Sequence, residues 1–123
     1  MTRVALLAKV IFLSIILSSP ARGGELEDGI TAYQAKEFSK AMTMLVPLAN
    51  DGVAEAQFYI GMMYDFGKGV QQDYKEAVKW YQLAGKQGHA EAKLNIYELA
   101  KKNSPEALKI LTNYAENGEA NFQ

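Results

Sequence analysis

The sequence predicts an all-α fold made of tandem antiparallel helix hairpins, and two observations carry this prediction. From about Glu25 onward the chain is rich in strong helix formers such as Ala, Leu, Glu and Lys, and no run of alternating β-branched residues is bounded by turns. The chain also repeats itself, because a shift of 36 places residues 52–56 on residues 88–92. One hairpin cannot cover both of its apolar faces, so each hairpin must stack on the next.

The N-terminal segment, residues 1–23, has the pattern of a secretory signal peptide. A positively charged start precedes a short apolar core, and cleavage fits after Ala21 or after Gly23. The alternative is an uncleaved membrane anchor, but the uncharged run that follows Lys9 has 12 residues, whereas a spanning helix needs about 20. We therefore expect a bacterial protein that is periplasmic or secreted and has no stable membrane span after cleavage.

The remainder of the chain is acidic and contains no cysteine. Without the predicted signal segment, 10 Lys and Arg side chains stand against 14 Asp and Glu side chains, a net charge of −4. A protein that neutralises phosphates needs the opposite balance, so no nucleic-acid partner is expected. The absence of cysteine excludes disulfides, thiolate metal sites and Cys nucleophiles.

Three helix hairpins are predicted in order along the chain. They cover residues 25–51, 54–89 and 90–117, and residues 118–123 look like the truncated start of a further unit. The third hairpin matches the second with a shift of 30 rather than 36, which indicates a deletion. Because the hairpins end in an incomplete unit, we expect the last helix to be covered by self-association or by a partner, through Leu108, Leu111 and Tyr114.

Residues at the helix ends predict where the helices begin and stop. Asp73, with Glu76 three residues later, has the pattern of an N-cap with a capping partner. Ser104 is an N-cap that precedes Pro105, and proline at the first helical position loses no hydrogen bond. Glycines favour the left-handed conformation just past a helix and are found at Gly52, Gly88 and Gly118.

Apolar spacings of three and four predict how the central hairpin packs. Ala77, Trp80, Tyr81 and Ala84 form one stripe on its second helix. Gly61 on the first helix has no side chain, so it allows the two helices to approach closely. A second stripe is expected on that first helix, from Ala56, Tyr59, Ile60 and Tyr64.

The central unit resembles the Sel-1-like repeat, a branch of the tetratricopeptide superfamily. That family begins with Ala-x-Ala, continues with Leu-Gly-x-x-Tyr and a Gly-x-Gly-Val loop, and ends with Lys-Ala-x-x-Trp-Tyr. The third hairpin departs from this pattern, because Tyr97 replaces the glycine and the loop is missing, and the first hairpin is a shortened tetratricopeptide-like variant. The residues that carry the resemblance are Ala54, Ala56, Ile60, Gly61, Tyr64, Gly67, Gly69, Val70, Asp73, Ala77, Trp80, Tyr81, Ala84 and Gly88.

This resemblance implies a short right-handed α-solenoid used for protein recognition. In such folds the first helix of each hairpin lines the concave side, so we expect the chain to bind a protein or peptide there. Acidic side chains on this surface favour basic partner segments, and affinity should fall as salt rises. The resemblance places partner contacts at Glu55, Phe58, Met62, Asp65 and Phe66 of the central unit and at Glu91, Leu94, Glu98, Lys101 and Lys102 of the third.

Catalytic interpretations of the same residues are weaker than the structural ones. His89 is the only histidine, and as a turn residue before a helix it is better explained as polar surface than as a base or metal ligand. The segment from Gly67 to Val70 lacks the Gly-x-x-x-x-Gly-Lys-Ser/Thr pattern of a phosphate-binding loop. Relatives linked to β-lactam hydrolysis are rich in cysteine, and this chain also lacks Ser-x-x-Lys. We therefore expect no catalytic residue, cofactor or metal, with a hydrolase or a decayed structural fragment as the alternatives.

Overall fold

Six helices in sequence order make up the part of the chain that the structure describes. A computed structural model of the chain describes residues 21–102 and 104–117, and within these ranges it contains helices and turns but no strand. The helices confirm the predicted all-α fold of stacked antiparallel hairpins. They are α1 (Ala21–Gln34), α2 (Phe38–Asn50), α3 (Ala54–Phe66), α4 (Tyr74–Lys86), α5 (Ala90–Lys101) and α6 (Pro105–Glu116).

Some predicted segments fall outside the described residues. Most of the predicted signal peptide and all of residues 118–123 lie there, including Gly118. In the part of the chain that the structure does describe, no helix has the length and apolar character needed to cross a bilayer.

Two clusters of buried apolar side chains lie one after the other along the stack. The first, which we call the N-terminal cluster, lies among α1, α2 and α3; the second, the C-terminal cluster, lies among α3, α4, α5 and α6. Helix α3 contributes to both, and so each pair buries the apolar side of its neighbour. The N-terminal cluster contains Ala32, Ala41, Leu45, Leu48, Ala49, Ala56, Ile60 and Met63, and the C-terminal cluster contains Phe58, Ala77, Val78, Tyr81, Ala84, Ala92, Ile96, Leu99, Ala100 and Ala107.

Glycines on the first helix bring the helices together in two pairs. A Cβ on Gly61 would lie 2.5 Å from Tyr81 Cδ1, which confirms the predicted close approach. Gly29 does the same in the first pair, where a Cβ would lie 2.6 Å from Leu45 Cδ2. The second contact was missed from the sequence because the α1–α2 turn is shorter than the α3–α4 loop, so Gly29 does not align with Gly61 at the 36-residue shift.

The helix ends follow the predicted capping chemistry. Asp73 Oδ1 accepts from the Glu76 N–H at 3.2 Å, and Ser104 Oγ accepts from the Ala107 N–H at 3.4 Å. Both are N-caps, which satisfy N–H groups that have no partner within the helix.

Left-handed residues end four of the helices, and Gly67, with φ 63°, is the one after α3. Gly52 has φ 90° and Gly88 has φ 91°, as their positions predict, but the turn after α1 uses Lys36 with φ 62°. In each turn the N–H groups of the left-handed residue and of the residue after it donate back to carbonyls of the last helical turn. A lysine therefore adopts a conformation that usually favours glycine.

Candidate partner-binding surface

The first helices of the central and third pairs place equivalent repeat positions along one face. Positions 55, 59, 62 and 66 on α3 correspond, at the 36-residue shift, to positions 91, 95 and 98 on α5 and to position 102 just after it. The α3 side chains are half-buried except for Phe66, which is exposed, and the α5 side chains are exposed except for Asn95. We call this face the groove face; it consists of Glu55, Tyr59, Met62, Phe66, Glu91, Asn95, Glu98 and Lys102.

Tyr59 lies at the centre of the groove face. Its ring contacts that of Tyr33 on α1 edge-on, with centroids 5.1 Å apart. Burial raises the pKa of the Tyr59 hydroxyl, and the charges of Glu55 and Glu91 raise it further. The centre of this face is therefore an aromatic surface in a negative field, which suits a cationic or hydrogen-bond-donating group.

His89 connects α5 to the groove face. Its Nδ1 accepts from the Ala92 N–H at 3.2 Å, which caps α5, and its Nε2 lies 2.7 Å from Glu55 Oε2. Because Nδ1 accepts, Nε2 must carry the proton and donate to the carboxylate. The imidazole also stacks on Phe58, with ring centroids 4.5 Å apart. This histidine positions Glu55 and joins α3 to α5, a role that goes beyond the polar turn residue expected from sequence.

Asp65 is buried behind the groove face. It is 5% exposed, and its Oδ2 accepts from the Tyr81 hydroxyl at 3.0 Å. Burial raises the pKa of Asp65, while the Tyr81 hydrogen bond and the charge of Lys102 act in the opposite direction. Burial and the nearby Asp65 charge also raise the pKa of Tyr81. Oδ1 is buried and has no hydrogen-bond partner in the described part of the chain, so the Tyr81 hydroxyl is the side-chain partner of this buried carboxyl group.

The predicted partner contacts separate into an exposed group and a buried group. Glu91 and Glu98 are exposed, and Glu98 is hydrogen-bonded to Lys101 at 3.2 Å. Phe58 is only 5% exposed and lies in the C-terminal cluster, and Asp65 is bound to Tyr81, so neither side chain is presented to solvent. The predicted surface residues Phe66 and Leu94 are 53% and 54% exposed. Glu55 and Met62 are half-buried, so each presents part of its side chain to solvent.

The last helix leaves part of its apolar surface exposed. Leu108 is 47% exposed, whereas Leu111 is half-buried against the C-terminal cluster. The Tyr114 side chain lies outside the described residues, so self-association through this end stays a prediction.

No catalytic or metal centre was predicted, and the described residues hold no group of three or more His, Cys, Asp or Glu side chains that could bind a metal ion. Asp73 and Glu76 are explained by the N-cap, and His89 by its cap and its contact with Glu55.

Comparisons with known proteins identify the central unit. A family model described as Sel1 repeat matches residues 54–89. Chitin synthase regulatory factor 3 of Schizosaccharomyces pombe is 33% identical over 85 residues, which are 63% of this chain and 9% of that protein. The crystal structure of a Sel1 repeat protein from Oxalobacter formigenes superposes with a TM-score of 0.61 at 33% identity, over 76% of this chain and 39% of that chain. The chain thus spans a minor part of each of these relatives.

Proposed function

Because this chain is a Sel1-like repeat protein, and such repeats are typically interaction scaffolds rather than catalysts, we propose that it is an exported, non-catalytic adaptor that binds a protein segment on its groove face. The observation that carries this proposal is the alignment of equivalent repeat positions on α3 and α5, which places Glu55 and Glu91 at matching sites. Tyr59, Met62 and Phe66 provide an apolar strip, and Glu55 and Glu91 lie beside its centre. An extended or helical segment with basic and apolar residues fits this pattern.

Charge supports a basic partner. Glu91 and Glu98 are exposed on α5, and the chain without its predicted signal segment carries a net charge of −4. Attraction between exposed charges speeds association and is screened by salt. Lys102 closes the acidic strip at its far end, so the basic residues of the partner should lie toward the start of α5 rather than its end.

Site-specific photo-crosslinking in cells tests the binding surface. A photoreactive residue at Phe66 or Glu91 should form one discrete adduct with the same protein, because both positions lie on the groove face. The matched controls are Lys75 on α4 and Lys109 on α6, which are exposed on the second helices. Equal adducts from the control positions, or none from the groove positions, would overturn the proposal.

Charge reversal then tests the chemistry of the partner. Glu91→Lys combined with Glu98→Lys should abolish the adduct formed from position 66, whereas the exposed control Glu116→Lys should leave it intact. Glu55 is unsuitable for this test because it holds His89.

Export is tested separately. If the N-terminal segment is a cleaved signal peptide, protein recovered from the periplasm or medium should begin at Arg22 or Gly24, as found by N-terminal sequencing. Protein that keeps Met1 and stays in the cytoplasm would refute export but would leave the groove assignment standing.

A further inference from the structure

A second surface of the molecule has the composition of a small-ligand site. A cleft of about 300 Å³ lies where the turn after α1 meets the loop after α3, and it is lined by Tyr33, Gln34, Lys36, Phe38 and Lys68. This volume is at the lower end of the range for small-molecule pockets. The lining contains two ammonium groups and two aromatic rings but no carboxylate.

The extended loop of the central unit builds this cleft. Gly69, with φ 74°, approaches the start of α2 so closely that a Cβ would lie 2.8 Å from Phe38 Cβ. Next to it, Lys68 Nζ lies 5.7 Å from the centroid of the Phe38 ring. Tyr33 contacts the same ring edge-on, with centroids 5.5 Å apart. The two rings therefore form an apolar wall, and the loop holds a cation beside it.

The two lysines are not neutralised within the described ranges, where neither Lys36 nor Lys68 forms an ion pair. The one carboxylate adjacent in the chain, that of Glu37, lies 3.6 Å from Lys40 Nζ instead. Two cations beside a cleft without a carboxylate attract an oxyanion.

Lys36 is also held in a conformation that costs stability. It is the only described residue other than glycine with positive φ, at 62°, whereas the corresponding C-cap of α3 is Gly67 with φ 63°. A left-handed conformation is unfavourable for a residue with a side chain, and backbone strain of this kind is often found at functional sites. A glycine would form the same turn without that cost, but it would remove one of the two cations.

We propose that this cleft binds an anionic ligand whose carboxylate or phosphate lies between Lys36 and Lys68 and whose planar apolar part packs on Phe38 and Tyr33. The site adjoins the groove face through the contact between Tyr33 and Tyr59, but it shares no residue with that face and does not depend on its assignment. A bound anion accounts for Lys36 in the turn after α1 and for the position of Lys68 over the Phe38 ring.

Titration of the chain with simple probes, followed by amide chemical shifts, tests this site. Benzoate and phenyl phosphate should shift the amides of Gln34, Lys36, Phe38 and Lys68, with dissociation constants on the order of millimolar for ligands of this size. Benzamide lacks the charge and inorganic phosphate lacks the ring, so each should bind at least about threefold more weakly. Tighter binding of benzoate assigns a carboxylate ligand, and tighter binding of phenyl phosphate assigns a phosphate.

Three variants separate the site from general charge effects. Lys68→Gln and Lys36→Gly should each weaken benzoate binding by about threefold or more, whereas the exposed control Lys109→Gln should not change it. Lys36→Gly should also raise the Tm, because glycine relieves the left-handed strain. Binding of benzamide equal to that of benzoate, or equal weakening by Lys109→Gln, would overturn the proposal, and a lower Tm for Lys36→Gly would overturn the strain argument.

Discussion

The central and third helix pairs have the same plan but are not packed alike. In the central pair, Gly61 lies directly on Tyr81, which is completely buried, and both sides of the pair are covered by neighbours. In the third pair, Tyr97 stands at the position of Gly61 and is 42% exposed, and Leu111, at the position of Tyr81, is half-buried. The stability of a helix pair in a stack therefore depends on how much apolar surface its neighbours bury, and not on its own sequence alone.

Removal of the central aromatic side chain should have the largest effect. Tyr81→Ala leaves a large cavity and should lower the free energy of unfolding by about 3 to 5 kcal/mol. Leu111→Ala, at the equivalent half-buried position, should cost about 1 kcal/mol. Urea denaturation followed by far-UV circular dichroism measures both values. Equal losses would show that the two pairs are equally well packed and would break the comparison.

Addition of a methyl group at the close helix contact should have the next largest effect. Gly61→Ala places a Cβ 2.5 Å from Tyr81 Cδ1, and the displacement of a buried ring should cost about 1 to 3 kcal/mol despite the better helix propensity of alanine. Tyr97→Ala should change stability by no more than about 0.5 kcal/mol, because this ring is exposed. Thermal melts of both variants measure these effects. A Gly61→Ala protein that melts above the parent chain would contradict the close contact between Gly61 and Tyr81.

The N-caps should give equal effects in the two pairs, because capping is local and does not depend on cover. Asp73→Ala and Ser104→Ala each remove one side-chain acceptor and should each cost about 1 kcal/mol. Hydrogen exchange of the Glu76 and Ala107 amides reports the loss at each helix. A cost at one cap several times larger than at the other would mean that packing, and not capping, dominates there.

Ionisation of Asp65 should have the smallest effect on stability, and this effect should depend on pH. Because burial raises the pKa of Asp65 above its ordinary value of 3.8, the folded chain keeps this proton at pH values where the unfolded chain has released it. Stability is therefore lost as the pH rises from 3.8 through the folded pKa, and Asp65→Asn escapes that loss.

The gain from Asp65→Asn should thus be greater at pH 7 than at pH 4 when both melts are compared with the parent chain. The exposed control Asp28→Asn should show no such difference. A gain that does not change with pH would mean that Asp65 is not destabilised by burial.

Three features could be predicted from sequence because each depends on local spacing. They are the repeated helix pairs, the helix ends and the close contact between Gly61 and Tyr81. Gly61 and Tyr81 were matched by the repeat pattern, and Asp73 and Ser104 by the capping chemistry that any helix start requires. These features are decided within a single hairpin, where the distances along the chain are short.

The contacts between pairs could not be predicted in the same way. The 36-residue shift places His89 on Val53, so no repeated pattern pointed to its contact with Glu55, which lies 34 residues earlier. Phe58 and Asp65 were expected on the partner surface because the family resemblance placed partner contacts along the first helix of each pair. They are buried because α4 and α5 cover that side of α3, and this depends on the angle at which the pairs stack.

Among the described helices, α3 contributes fully buried side chains to both apolar clusters, and this has a consequence for how the molecule responds to a bound partner. Its Ile60 lies in one cluster and its Phe58 in the other, so neither half of the stack can loosen without disturbing the same helix. The amides of α3 should accordingly exchange last, only through opening of the whole chain. A protein segment bound along Tyr59, Met62 and Phe66 would slow exchange as far away as α2 and α6, without touching either helix.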